Sequence, residues 1–289
     1  MPIAETTRFA PSPTGALHLG HAWAACLAHA AARATGGHFL LRIEDLDQAR
    51  CNTRHEAGIV ADLQWLGLRW DGPERRQSEH FARYQAALHR LAERELLYPC
   101  FCTRSDIARE IDCMAAAPQG PDGPLYPGTC RALSRADRES RLAAGVPHAL
   151  RLDIQRSVAL LRGTRLTCEE SGRGPAGESG RIDAQPGLLG DLVLGRKDLG
   201  VSYHLAVVLD DADQCITLVT RGEDLFPATH VQRLLQALLA LPVPRYRHHP
   251  LIRDVQGRRL AKRDRDETLE ALRAAGVTPA QIRQRLGLG

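Results

Sequence analysis

The sequence is poor in aromatic residues, has no large excess of either charge and contains no long hydrophobic run. Aromatic residues make up 4% of its 289 residues, and the formal net charge is +4 at pH 7. This charge permits a polyanionic partner, but any basic patch would be local. The longest apolar run, Ala22 to Ala34, is interrupted by His29 and Arg33 and is shorter than the roughly 20 residues that span a bilayer. The hydrophobic content of 44% is ordinary for a globular protein, so we expect a soluble, folded chain.

The first eleven residues also lack an apolar core. They contain Glu5, Arg8 and two prolines, so we expect no secretory signal and a cytoplasmic protein. The eight cysteines are then expected to be reduced, and a cluster of them indicates metal ligands rather than disulfides. Four cysteines stand singly in apolar or strand contexts and are expected to act as small hydrophobes: Cys26, Cys51, Cys168 and Cys215.

Predicted strands and helices alternate at both ends of the chain. The first part predicts strands over 6–10 and 38–43, and helices over 17–35, 52–66 and 78–96. The alternation returns with an apolar segment over 203–210, a strand over 215–220, a helix over 228–241, a short strand over 250–252 and a last helix. Such alternation predicts an α/β fold with a Rossmann-like parallel sheet and a short helical C-terminal segment.

The middle of the chain breaks this alternation. Between residues 99 and 200, turn residues and cysteines crowd together, and Gly172 to Gly187 is a polar, glycine-rich stretch typical of an exposed loop. We therefore predict that residues 99–200, the insert, divide a catalytic domain into residues 1–98 and 201–289.

Two histidines mark the start of the first predicted helix, directly after a strand and a proline-rich turn. His18 and His21 are three residues apart, so both imidazoles share one helix face beside unpaired backbone N–H groups. Gly20 between them leaves the backbone open to a nucleotide. Two structural histidines are the alternative, but parallel α/β sheets bind ligands at this position after a strand. The pattern therefore favours a phosphate-binding site.

The insert contains a candidate zinc site. Cys100 and Cys102 can share one metal ion on a turn, and two further ligands returned by a loop would complete a tetrahedron. Cys130 supplies a third thiolate. Tyr126 and Cys113 are both candidates for the fourth ligand.

Three segments together resemble the class I aminoacyl-tRNA synthetases of the glutamyl type. They are the histidine-containing segment from Arg8 to His21, the strand Leu41 to Asp47, and the basic motif made of Arg259, Leu260, Ala261, Lys262 and Arg263. Their order and spacing agree over nearly the whole chain. The resemblance implies that ATP, taken up with Mg²⁺, is bound from two sides while an acyl-adenylate forms.

The resemblance also implies roles for individual residues. The motif from Pro11 to His21 corresponds to the family's first signature, with His18 and His21 at the ATP phosphates and Gly20 also in the ATP site. Lys262 of the basic motif is implied to stabilise the transition state. The residues implied to bind glutamate are Arg8, Phe9, Ala10, Pro11, Ser12, Glu44, Tyr203 and Arg221. Taken alone, Glu44 could be a solvated strand end and Tyr203 a half-buried strand residue. An arginine such as Arg221 can bind a carboxylate bidentately, which favours glutamate over glutamine.

A compact subgroup fits best, because only a short segment follows Lys262 and no anticodon-reading domain is expected. With its Cys-x-Cys and Tyr-x-x-x-Cys spacings, the chain resembles glutamyl-queuosine tRNA(Asp) synthetases, which attach glutamate to the queuosine base in the anticodon of tRNA(Asp). The resemblance implies one structural zinc ion and favours Tyr126 as its fourth ligand. The implied partners are L-glutamate, ATP and queuosine-containing tRNA(Asp), and we expect a monomer. Ala261 stands where the family has serine, so we expect one phosphate hydrogen bond fewer.

Three other interpretations of the sequence compete with this one. The first is a truncated glutamyl-tRNA synthetase that charges the 3′ end of tRNA(Glu). The second is a nucleotidyltransferase, which would share the His-x-Gly-His helix start but leave Glu44, Arg221 and the cysteines unexplained. The third is a non-catalytic tRNA-binding relative, which would have no need for both ATP-binding motifs.

Overall fold

The computed structural model describes residues 4–114, 118–121, 123–198, 200–252 and 268–288. The strands are β1 (Thr6–Phe9), β2 (His38–Ile43), β3 (Arg75–Arg76), β4 (Leu97–Cys100), β5 (Gln119–Gly120), β6 (Gly123–Pro124), β7 (Ala149–Leu152), β8 (Thr167–Glu170), β9 (Gly180–Asp183), β10 (Val193–Gly195), β11 (Leu218–Gly222) and β12 (Arg245–His249). The α-helices are α1 (Leu19–Ala34), α2 (Thr53–Trp65), α3 (Phe81–Glu93), α4 (Arg104–Asp112), α5 (Arg135–Ala143), α6 (Ile154–Leu160), α7 (Tyr203–Asp213), α8 (Phe226–Leu239), α9 (Leu269–Ala274) and α10 (Pro279–Arg285).

A parallel sheet built from both ends of the chain forms the centre of the fold. β1 pairs with β2 and β2 with β3, while β11 pairs with β12, all in parallel. β1 also lies beside β11, where the Thr217 amide donates to the Thr6 carbonyl at 2.9 Å. The chain leaves β1 towards one edge and β11 towards the other, so their carboxyl ends form the switch point at which such sheets bind ligands. The predicted α/β fold with a parallel sheet is confirmed.

Helices cover the sheet and bury two large apolar clusters. α1 buries a stripe of alanines, and the Thr7 hydroxyl of β1 donates to the Ala28 carbonyl at 2.8 Å. Gly36 takes a φ of +65° directly after α1, the left-handed conformation with which helices commonly end. Leu269 of α9 and Ile282 of α10 are fully buried in the first cluster, together with residues of α1, β1 and β2. The second cluster lies between α3, α7 and α8.

The insert combines a small antiparallel sheet with strands that extend the central one. β7 pairs with β4 and β10 in antiparallel fashion. β8 pairs with β12 through Glu170 and Tyr246, and β9 pairs with β8. The glycine-rich stretch from Gly172 to Gly187, predicted as a loop, therefore contains β9. The division into residues 1–98, 99–200 and 201–289 stays a prediction.

Two local expectations were wrong. Tyr203, considered as a strand residue, is the first residue of α7, because a short buried apolar run has the same hydrophobic pattern in a strand and in a helix. The short strand expected over 250–252 lies earlier, over Arg245–His249. Its alternation of exposed arginines with buried Tyr246 and His248 was hidden by its polar composition.

None of the helices in the described ranges is long and apolar enough to cross a membrane.

Candidate active site

The carboxyl ends of the parallel strands bring the predicted substrate residues together. Arg8 lies on β1 and Arg221 on β11, and an Arg8 Nη donates to the carbonyl of Thr220 at 3.3 Å. Glu44 directly follows β2, and its amide donates to the Pro11 carbonyl at 3.0 Å. The first signature, the end of β2 and the end of β11 thus meet at the switch point.

His18 and His21 each accept a backbone hydrogen bond at the start of α1, and their rings contact each other. His18 is the N-cap of α1, and its Nδ1 accepts from the Gly20 amide at 3.1 Å. Nδ1 of His21 accepts from the His18 amide at 3.2 Å, and the two ring centroids are 3.9 Å apart. A neutral imidazole that accepts at Nδ1 carries its hydrogen on Nε2. Both rings are therefore held in the tautomer that makes Nε2 a donor, as phosphate oxygens require.

Gly20 has a steric reason to be glycine. A Cβ at this position would lie 3.0 Å from Cε1 and 3.1 Å from Nδ1 of His18. Glycine therefore leaves room for the capping ring of His18.

If His18 binds the ATP phosphates, as the resemblance implies, Gly20→Ala should reduce adenylate formation by about tenfold or more, because displacing a positioned group by a fraction of an ångström carries large kinetic costs. Glutamate-dependent pyrophosphate exchange measures the effect, which should include a raised KM for ATP. Gly58→Ala is the matched control, because Gly58 lies in α2 with nothing within 4 Å of its added Cβ. Equal rates for the two variants would contradict the steric account.

The segment that follows the basic motif pairs with the residues just before α1. The Leu269 amide donates to the Leu17 carbonyl at 2.8 Å, and Thr268 forms a β-bridge with His18. On the other side, Ile252 packs against the apolar cluster that contains Leu17. The basic motif (259–263), including Lys262, lies outside the described residues.

A buried ion network holds the charged groups at the strand ends. Asp211 of α7 accepts from Arg8 Nε at 3.0 Å and from an Arg42 Nη at 2.8 Å. Arg42 is fully buried and donates to Glu44 at 3.3 Å, so these two side chains point to the same side of the sheet. Burial alone would raise the pKa of Asp211, but Arg8 and Arg42 outweigh it and hold that pKa below its usual value. Asp211 is therefore the shared counterion of both arginines.

At Glu44, unlike at Asp211, the effect of burial on the pKa outweighs that of the neighbouring arginines. It raises the pKa of the Glu44 carboxyl above its usual value, although Arg42 and Arg8 oppose the shift. Its ionised form is therefore stabilised less than that of Asp211, and a cationic ligand would favour it.

Arg221 is buried and oriented by three hydrogen bonds. Its Nε donates to His248 Nε2 at 3.1 Å, and its two Nη atoms donate to Gln232 at 2.9 Å and Thr229 at 2.6 Å. A guanidinium has five N–H donors. One donor therefore remains on each Nη, which is the pair that a carboxylate can bind bidentately.

Tyr203 lies on the wall of a cavity of about 730 Å³ that reaches from α7 to the cysteines of the insert. Ser202 and His204 line the same cavity. Burial lowers the pKa of His204 to about 4, so this ring is neutral at physiological pH.

The predicted zinc ligands lie together at the other end of this cavity. The Sγ atoms of Cys100, Cys102 and Cys130 are within 4.8 Å of one another. Tyr126 Oη lies 3.5 Å from Cys100 Sγ and 3.7 Å from Cys102 Sγ. Zinc with Zn–S bonds of about 2.3 Å places tetrahedral sulfurs about 3.8 Å apart, so the four residues, here called the cysteine cluster, fit one zinc ion. Cys113 is exposed and lies outside the metal-binding group found in the described part of the chain.

Sequence reasoning missed Asp210 and Asp211. Asp210 is fully buried and accepts from Arg75, Gln77 and Tyr84. Two adjacent acids inside an otherwise apolar segment were the available signal, because a carboxylate within such a segment is buried only when it is paired.

Comparison with known proteins agrees with this architecture. The family of class I tRNA synthetases (E and Q), catalytic domain, matches residues 5–288. A glutamyl-Q tRNA(Asp) synthetase of Rhodobacter capsulatus is 52% identical over 98% of this chain and 99% of its own length. One of Nocardia farcinica is 47% identical over 97% of this chain and 83% of its own length.

Solved structures share the fold. A glutamate tRNA ligase from Elizabethkingia meningosepticum, in complex with its amino acid, superposes with a TM-score of 0.74 at 28% identity over 91% of this chain. The chain spans about half of that ligase, 53% of its length. The whole-length matches, the split parallel sheet and the paired histidines agree with one another: the chain belongs to the class I glutamyl and glutaminyl tRNA synthetase family, and within it to the glutamyl-Q tRNA(Asp) synthetases.

Proposed function

We propose that this protein activates L-glutamate with ATP and transfers it to the queuosine base of tRNA(Asp). In the first step the α-carboxylate of glutamate attacks the α-phosphorus of ATP, and pyrophosphate leaves. In the second step the modified base attacks the carbonyl carbon of glutamyl-adenylate, and AMP leaves. The observation that carries the proposal is the meeting of Arg8, Glu44 and Arg221 at the switch point, where the first signature also begins.

The charges at the strand ends complement those of glutamate. Arg221 pairs with the side-chain carboxylate through its two remaining Nη donors, and Glu44 pairs with the α-ammonium group. Arg8 and the segment 9–12, including Ser12, bind the remaining polar groups, and Tyr203 contributes its hydroxyl. A neutral glutamine amide offers one acceptor where the carboxylate offers two, so Arg221 favours glutamate.

ATP is bound between the start of α1 and the basic motif. His18 and His21 donate from Nε2 to phosphate oxygens, and Lys262 adds positive charge as the phosphorus acquires its fifth oxygen. The β-bridge between Thr268 and His18 supports this assignment, because it places the chain that follows the basic motif beside His18.

The acceptor nucleotide enters through the cavity between Tyr203 and the cysteine cluster. Arg104, Arg151 and Arg196 line it, with Asp198 as an acidic neighbour of Arg196. This excess of positive charge suits a polyanionic strand. The cysteine cluster would hold one zinc ion that folds this wall of the cavity and takes no part in the reaction.

A truncated glutamyl-tRNA synthetase is the second candidate. A protein named glutamate–tRNA ligase 2, from Nitrosococcus oceani, is 39% identical over 96% of this chain, but the match covers only 58% of that ligase. The activation step is the same in both candidates, so only the accepted tRNA separates them.

Amino-acid-dependent pyrophosphate exchange tests the activation step. We expect exchange with glutamate, and much weaker exchange with glutamine or aspartate. Exchange that does not depend on glutamate would contradict the proposal and favour a nucleotidyltransferase.

The pKa of Glu44 predicts a pH effect on glutamate binding. Because burial raises that pKa, Glu44 becomes protonated at a higher pH than an ordinary glutamate and then cannot pair with an ammonium group. The KM for glutamate should rise as the pH falls through this raised pKa, at a higher pH than an ordinary glutamate would require. Glu44→Gln should have a high KM at every pH. A flat profile for the unmodified enzyme would refute the role of Glu44.

A further inference from the structure

A buried histidine links Arg221 to a carboxylate on another strand. His248 of β12 lies between Glu170 of β8 and Arg221 of β11, with its Nδ1 2.6 Å from a Glu170 Oε and its Nε2 accepting from Arg221 Nε at 3.1 Å. The side chains of His248 and Glu170 are 0% and 1% exposed. The rings of Phe226 and Tyr246 pack against His248 at centroid distances of 5.1 and 6.1 Å.

The two contacts allow one protonation state of His248. Arg221 Nε always carries a hydrogen, so His248 Nε2 must be an acceptor. Its hydrogen therefore lies on Nδ1 and is donated to Glu170. A hydrogen on Nε2 would point at the Arg221 N–H instead.

Glu170 is itself fixed by the backbone. One of its carboxylate oxygens accepts from the His248 amide at 3.0 Å and from the Gly172 amide at 2.7 Å. A Cβ at Gly172 would lie 2.3 Å from the His248 carbonyl oxygen, so this turn needs glycine. With three donors, the buried carboxylate has a fixed orientation.

We propose that Glu170 and His248 are positioning residues that set the selectivity of Arg221 for a carboxylate. Glu170 selects the tautomer of His248, and His248 holds Arg221 Nε so that the remaining Nη donors face the substrate. This inference rests on the proposed pairing of Arg221 with the side chain of glutamate.

Glu170→Gln tests the tautomer directly. A glutamine that keeps its oxygen on the two backbone amides presents its NH₂ group to His248 Nδ1, which must then accept. The hydrogen moves to Nε2, opposite the Arg221 N–H. We expect the KM for glutamate to rise by about 10- to 100-fold, the cost of a charged hydrogen bond, and discrimination against glutamine to fall, with the KM for ATP unchanged.

Glu169→Gln is the matched control. Glu169 is the preceding residue of β8, is exposed and pairs with Arg181 on the outer surface, so its variant should behave as the unmodified enzyme does. Wild-type KM and discrimination in Glu170→Gln would overturn the inference. So would equal losses for glutamate and ATP, which indicate general misfolding.

Two variants of His248 separate positioning from packing. In His248→Gln, the amide oxygen can accept from Arg221 and the NH₂ group can donate to Glu170, whereas His248→Ala can do neither. We expect His248→Gln to retain a KM for glutamate well below that of His248→Ala. Equal losses in both variants would show that the ring acts only by packing.

Nitrogen NMR of the unmodified protein gives a test that does not depend on how any variant folds. We expect a protonated Nδ1 and an unprotonated Nε2 for His248, and the opposite assignment would overturn the inference. The proposed function fails separately, if glutamate does not support pyrophosphate exchange in the unmodified enzyme.

Discussion

Lys262→Ala is expected to slow glutamyl-adenylate formation by about 100- to 1,000-fold, the usual cost of removing a group that stabilises transition-state charge. Binding of glutamate should be unchanged, because Lys262 is proposed to act on the phosphate as the carboxylate attacks. An interaction made only in the transition state lowers kcat without weakening ground-state binding. Pyrophosphate exchange gives kcat, and calorimetric titration gives the affinity for glutamate.

Arg165→Ala is the control for loss of one positive charge. Arg165 is exposed and pairs with Asp183 at the edge strand β9, so its variant should keep full exchange activity. Weaker glutamate binding in Lys262→Ala, in proportion to the loss of rate, would contradict the assignment of Lys262 to the phosphate.

Cys130→Ser is expected to abolish the proposed binding of zinc and to unfold the wall of the cavity that the cysteine cluster forms. Few buried apolar groups support this part of the insert: the cluster around Cys130 also contains Tyr98, Cys100 and Phe101. With so small an apolar core, metal binding supplies much of the free energy of folding. Loss of one ligand therefore has a large structural effect. Transfer to tRNA should be lost, while glutamate-dependent exchange should largely survive. Elemental analysis, thermal unfolding and the two activity assays measure these effects.

Cys113→Ser is the matched control and separates the two candidates for the fourth ligand. Cys113 is exposed, so its variant should retain one equivalent of zinc, whereas Tyr126→Phe should bind zinc more weakly. Zinc loss in Cys113→Ser with full retention in Tyr126→Phe would reverse the assignment. Loss of exchange in Cys130→Ser equal to the loss of transfer would refute a purely structural role.

Much of the fold could be predicted because the strong signals are local. The alternation of predicted strands and helices predicted the parallel sheet. The Pro-rich turn before His18 predicted the start of α1. Cys-x-Cys predicted a shared metal ion because a short spacing constrains geometry, whereas the choice of Tyr126 came from the resemblance.

The missed features depend on contacts between distant segments. Asp211 becomes a counterion only when α7 packs beneath β1 and β2. The sequence around residue 211 does not indicate that Arg8 is its partner. In the same way, Glu170 and His248 meet through a strand pairing across 78 residues. β12 was misplaced because its buried positions are held by Tyr246 and His248 rather than by aliphatic residues, so pairing and hydrogen bonds, not hydrophobicity, define this strand.

The most direct test of the central claim is transfer of labelled glutamate, with ATP, to purified tRNA(Asp) with and without queuosine, and to tRNA(Glu) in parallel. We predict label on queuosine-containing tRNA(Asp) alone. Label on tRNA(Glu), or equal label on tRNA(Asp) without queuosine, would contradict modification of the queuosine base.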